Sequence, residues 1–193
     1  MVPRPLCCIL VLACCLAPTF LVRADSLYVK QSVPSSGDGA SWETAFKTIK
    51  VGIDAARNGD EVIVAEGTYV ETVDFMGKDI TVRSTNEEDP RVVASTVIQA
   101  SGSPEVVRFR SSESRNAIIA GFTITLGQVG VSCVWSSPVV RNNMIQANTA
   151  DFDKGGGISC YYGSPLIENN IIALNLAYRG GAGIAFEGAK PVI

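Results

Sequence analysis

Two carboxylates, an arginine and a tyrosine are the residues of this chain best suited to chemistry. Asp151 and Asp153 flank Phe152 in a short acidic loop, and Tyr178 and Arg179 occupy the matching place in the next stretch of chain. Paired carboxylates can share general-acid and general-base work on a glycosidic bond, or hold calcium through oxygen ligands. The same residues also suit a plain solvated loop. A second candidate is aromatic. Trp135, Tyr161 and Tyr162 fall at neighbouring positions of two similar segments, so a strip on which a sugar ring stacks is one reading and two inward rings the other. The chain has no histidine. That removes Ser-His-Asp and Cys-His nucleophile systems, His-ligated zinc or haem iron, and imidazole acid–base steps. No metal-ligand motif stands in the sequence, and calcium is the one cofactor that the acidic loop admits.

The elements that would position these residues are written as a repeat. Residues 130–148 read GVSCVWSSPVVRNNMIQAN, and residues 157–175 read GISCYYGSPLIENNIIALN. Gly130, Cys133, Pro138, Asn142, Asn143, Ile145 and Asn148 return 27 positions later, and a third copy opens at Gly183. Leucine-rich repeats share this length but need fixed leucines, and the Ser-x-Pro and Asn-Asn turns leave no run long enough for a helix. Short β-favouring runs joined by turns predict stacked parallel strands about 4.8 Å apart, with equivalent residues forming ladders. Val140, Ile167 and Ile193 are expected to stack inward, as are Ile145 and Ile172. Asn142 over Asn169 is expected to chain inward amides along a turn.

Cys133 and Cys160 share one ladder position with Phe186, which predicts two buried thiols rather than a bridge. Arg141 under Glu168 predicts a solvated cross-strand ion pair. Glu87-Glu88-Asp89-Pro90 reads as a solvated acidic turn.

Upstream of the repeat, Ser41 is suited to cap a helix carrying Trp42, Ala45, Phe46, Ile49, Ile53 and Ala56 on one face, stopped at Asn58-Gly59. After it come runs at 61–65, 78–84, 95–100, 105–110 and 117–125 with β-branched character, and no second helix of useful length. The first 24 residues carry Arg4, an apolar run from Leu6 to Val22, and small residues at Val22 and Ala24. This pattern predicts an export signal cleaved after Ala24, with a retained anchor or lipid attachment at Cys14 as rivals. The expected mature chain, 25–193, keeps 14 basic against 19 acidic residues, a net charge of −5, and has no basic stripe for nucleic acid.

Two segments add a resemblance. Asp38-Gly39-Ala40-Ser41-Trp42 and Gly59-Asp60-Glu61-Val62-Ile63-Val64-Ala65-Glu66-Gly67-Thr68-Tyr69 resemble the opening of secreted bacterial right-handed parallel β-helix proteins, the pectin-lyase-like superfamily. The Pro-x-Ile/Val-x-Asn-Asn segments resemble that superfamily's repeat. Gly155-Gly156-Gly157-Ile158 and Ile172-Ala173-Leu174-Asn175 are more weakly similar to the repeats of polymorphic outer-membrane proteins.

The resemblance implies an all-β, right-handed parallel β-helix of ~27-residue coils (60–193) behind an N-terminal helical cap (25–59). It implies an extracellular or surface protein that binds or processes polysaccharide or cell-surface glycan, the alternative being a non-catalytic adhesin or stalk. It assigns no reaction: the Asp-Asp, Gly-His-Gly and Arg-x-Lys signatures of the superfamily's polygalacturonase-like members are missing. Because the third copy stops at Pro191-Val192-Ile193, the sequence also predicts a C-terminal end completed by further coils or by self-association.

Overall fold

The computed structural model describes residues 24–151 and 155–193. The leader read over 1–24 therefore falls outside the described residues, Ala24 excepted. Along the chain come β1 (Ser26–Val29), α1 (Ile49–Ala55), β2 (Glu61–Val64), β3 (Gly67–Val70) and β4 (Val73–Asp74). Then follow β5 (Thr81–Ser84), α2 (Pro90–Ser95), β6 (Thr96–Gln99) and β7 (Glu105–Phe109), and then β8 (Ile118–Ala120), β9 (Thr123–Thr125) and β10 (Val129–Val134). The repeat contributes β11 (Val139–Arg141), β12 (Met144–Gln146), β13 (Thr149–Ala150), β14 (Ile158–Tyr161), β15 (Leu166–Glu168), β16 (Ile171–Ala173), β17 (Leu176–Ala177) and β18 (Ile184–Glu187).

The protein is mostly β, and every described strand pairing is parallel. Three main sheets run β1-β2-β5-β8-β11-β15, β3-β6-β9-β12-β16 and β4-β7-β10-β14-β18. From β2 onward successive strands visit these sheets in the same rotation, with the short pair β13-β17 between the second and third. Register follows the repeat: Cys133 pairs with Cys160, Val140 with Ile167 and Ile145 with Ile172.

Alternation sends one residue in two inward, which explains the buried columns. Val62, Val82, Ile119, Val140 and Ile167 form one, and Tyr69, Ile98, Ile124 and Ile145 another. Phe186 and Ile193, expected inward, lie at the far end of their columns and are 60% and 76% exposed.

The corners between sheets share one device. Asn142 and Asn169 (φ 55° and 54°), Ala147 and Leu174 (φ 53° and 56°), and Trp135 and Tyr162 (φ 55° each) are all left-handed. Such a residue turns the chain sharply and breaks the in–out alternation at that point. The amide ladder accordingly runs one residue later than expected. Asn143 Nδ2 donates to Asn170 Oδ1 (3.1 Å) and to the Ile119 carbonyl (3.1 Å), while the Phe122 N–H donates to Asn143 Oδ1 (3.0 Å). Asn142 instead directs its amide to Glu87, and Asn169 is exposed. A second ladder joins Asn148 to Asn175 (3.0 Å).

The helices also differ from expectation. α1 spans two turns and is capped by Thr48, whereas Ser41 caps only a local turn through the N–H groups of Glu43 and Thr44. The expected first turns are lost because Phe46 exchanges backbone hydrogen bonds with β1, its N–H reaching Tyr28 and its carbonyl Lys30. The apolar face is still buried, with Ala45, Phe46, Ile49, Ile53 and Ala56 all under 8% exposed.

Two distant side chains hold the ends of α1. Glu71 accepts from the N–H groups of Ile49 (3.0 Å) and Lys50 (2.8 Å), and Lys78 Nζ donates to the carbonyls of Ile53 (2.6 Å) and Ala56 (2.8 Å). Each charge matches the helix dipole. α2 was not expected. Its signal is Asp89 followed by Pro90 at the first helical position, with the Asp89 side chain accepting from Arg91 N–H.

Candidate functional site

The corner leading into β11 and β15 carries the aromatic group. Trp135 and Tyr162 lie ring over ring, centroids 4.1 Å apart and planes 12° apart, and Tyr161 meets Tyr162 edge-on at 4.7 Å. Continued alternation would have left Trp135 free to face inward, beside Cys133. The left-handed backbone turns it out instead, and it is 62% exposed.

Two faces of the stack are closed. Tyr162 covers one face of Trp135, and the far face of Tyr162 lies against Gly188, where a β-carbon would sit 2.4 Å from Cε1. Gly188 is itself left-handed (φ 63°), so it meets both the backbone and the space requirement. The other face of Trp135 is open. The pairing of Cys133 with Phe109, and the bond from Ser137 N–H to the Glu113 carbonyl, align that face with Ser111 and Ser112, both short and exposed.

Glu113, which the sequence did not single out, anchors this corner from below. It is 2% exposed and accepts from Ser136 Oγ (2.6 Å), Ser111 N–H (2.9 Å) and Gly77 N–H (2.9 Å). Burial pushes its carboxyl up, but the hydrogen bonds from Ser136 and the backbone outweigh it and hold the group below the usual carboxylate range.

Cys133 and Cys160 stack beneath the corner as free, buried thiols. Their mutual hydrogen bond, and then burial, push the Cys133 thiol well above its ordinary value. That suits a packing role rather than a nucleophile.

The acidic loop is described only in part. Asp151 is exposed, and Ala150 pairs with Ala177 while Tyr178 N–H donates to the Ala150 carbonyl (3.1 Å). The segments bearing Asp151 and Tyr178–Arg179 are therefore neighbours, with Tyr178 79% exposed. Asp153 lies outside the described residues, as do Phe152 and Lys154. Among the described residues no group of three or more His, Cys, Asp or Glu side chains gathers as a metal site.

Arg141 takes a different partner from the one expected. Glu168 is its register neighbour, but the guanidinium turns to Glu87, with Nη2 at 2.9 Å and Nε at 3.0 Å from Oε1. Glu87 is thus no solvated turn residue: the segment leading into α2 folds back over the Asn142 corner and carries the carboxylate with it. Close approach there requires a glycine, since a β-carbon at Gly121 would meet Glu87 Cα at 2.7 Å.

Fold and corner together define a mostly β protein of parallel sheets that displays an ordered aromatic stack at one corner. No family model matches the chain. It is similar to the uncharacterized protein YwoF of Bacillus subtilis (strain 168), 33% identical over 105 residues, covering 52% of this chain and 22% of that protein. The chain thus spans about a fifth of that relative's length. No solved structure matches.

Proposed function

We propose that this is an exported glycan-binding protein built as a right-handed parallel β-helix, akin to the pectin-lyase-like superfamily. In this reading α1 covers the first coil and the open face of Trp135 receives a sugar ring. The observation that carries the reading is the Trp135–Tyr162 stack: a large ring, turned outward and rigidly backed, that nothing else among the described residues uses on its free side. An exposed, preorganised aromatic face binds the C–H side of a sugar with little ordering cost. For the fold, the support is the fixed rotation of strands among three parallel sheets at the repeat's spacing.

The test is retention of the protein on a panel of insoluble polysaccharides, with and without calcium, beside a Trp135→Ala variant. Retention that drops at least tenfold in the variant supports the reading. Equal retention of both proteins, or none of either, overturns it. Release of reducing or unsaturated ends in the same samples reports on catalysis, and calcium dependence on the Asp151–Asp153 loop. Outward leucines favour the second reading, a surface adhesin or stalk: Leu126, Leu174 and Leu176 are 60%, 81% and 62% exposed. Concentration-dependent self-association without glycan retention is its expected signature.

A further inference from the structure

At the opposite end of β11 and β15 from the aromatic corner, the chain forms a cleft of about 360 Å³ that the aromatic group does not touch. Its floor is apolar: Met144 and Ile171 are register neighbours on β12 and β16, and Ile171 is 59% exposed. Pro90 and Val93 of α2 stand beside them. At the rim are Glu87, Glu88 and Asn169.

Two of these polar groups have bonding capacity to spare. Glu87 is not among them, since Oε1 is engaged by Arg141 and Asn142 and Oε2 is buried. Glu88 and Asn169 are exposed on the same rim.

We propose that this cleft is a second sugar subsite, one that takes a neutral pyranose ring and rejects uronates. The proposal rests on the reading of the chain as a glycan-binding protein. A sugar ring has a C–H face to lay on Met144 and Ile171, and a rim of hydroxyls that both donate and accept. Those hydroxyls donate to Glu88 and accept from the Asn169 amide. Charge selects against the acidic alternative. Arg141 is already paired with Glu87, so Glu88 leaves the rim net negative, and a ring carboxylate would meet like charge in a half-enclosed space. The volume lies within the range of small-ligand sites.

The test is amide chemical-shift mapping with methyl glucoside, methyl mannoside and methyl galacturonoside as probes. The parent, Trp135→Ala, Asn169→Gly and Ile171→Ser are compared. Glycine keeps the left-handed backbone at 169 (φ 54°), and Ile171 is exposed, so both cleft variants retain the fold. The expected result is a saturable shift at Asn142, Asn169 and Ile171 with a neutral glycoside, at least tenfold weaker in either cleft variant and unchanged in Trp135→Ala. Cleft amides that stay still with both neutral glycosides, or that respond as strongly to the uronoside, overturn the proposal. If Trp135→Ala loses polysaccharide retention while the cleft stays silent, the corner reading stands and this one falls. If the cleft responds while that variant retains polysaccharide normally, the corner reading alone is lost.

Discussion

The corner at Trp135 and Tyr162 and the corner at Asn142 and Asn169 are built on the same backbone, yet they do opposite things. Each places a left-handed residue at φ 54–55° in successive repeats. At the first corner that residue is aromatic and swings outward, while the groups fixing it, above all Glu113, sit below. At the second it is a small amide, and the residue after it enters the interior to bond three turns of chain through the Asn143–Asn170 ladder. One backbone device therefore serves display at one corner and cohesion at the other. The side chain, not the turn, decides which.

Breaking cohesion should cost most. Asn143→Ala orphans the buried Phe122 N–H and takes one of its hydrogen bonds from the Ile119 carbonyl, and a buried donor left unmet costs about 1–3 kcal/mol. Chemical denaturation should show a destabilisation of roughly 3 kcal/mol. An unchanged midpoint would sink the ladder as a stabilising element.

Next comes the anchor of the display corner. Glu113→Gln keeps the shape and removes the charge from three hydrogen bonds, so about 2 kcal/mol should be lost at neutral pH. Because the Glu113 carboxyl titrates below its ordinary value of 4.5 in the fold, its contribution is complete above pH 4.5 and disappears as pH falls through the folded-state value. Acid titration of stability should therefore be flatter below pH 4.5 in the variant than in the parent. Parallel curves would contradict the assignment.

The smallest effect belongs to the displayed ring itself. Trp135→Gly relieves a left-handed residue but loses the stack on Tyr162. Those terms are each about 1 kcal/mol and opposite in sign. Thermal unfolding should move by less than ~1 kcal/mol equivalent while glycan retention collapses. A large loss of stability would mean that Trp135 is structural.

The same left-handed residues explain which parts of the molecule were legible in sequence. Strand runs, the 27-residue register and the inward columns through Val140–Ile167 and Ile145–Ile172 follow from alternation and repetition, and they stand in the structure. Alternation fails across a left-handed residue. For that reason the amide ladder was displaced by one position, from Asn143 and Asn170 to Asn142 and Asn169, and the direction of Trp135 stayed open. Tertiary pairing accounts for other differences: β1 draws Phe46 out of the helix pattern, and the segment before α2 brings Glu87 to Arg141 across 54 positions. Glu113 gave no signal, because its partners come from three separate segments. The acidic loop was legible as a candidate, and its neighbourhood with Tyr178 follows from β13 and β17.

The most direct measurement of the account is the fluorescence of a Trp42→Phe variant titrated with the polysaccharide or oligosaccharide that retains the parent. Trp42 packs on Tyr28, centroids 4.7 Å apart and far along the chain from the corner, so this variant leaves Trp135 as the sole tryptophan. A saturable change in intensity or emission maximum that tracks binding is expected, as a sugar covers the open face of the ring. Binding that proceeds with the Trp135 emission unchanged would contradict it.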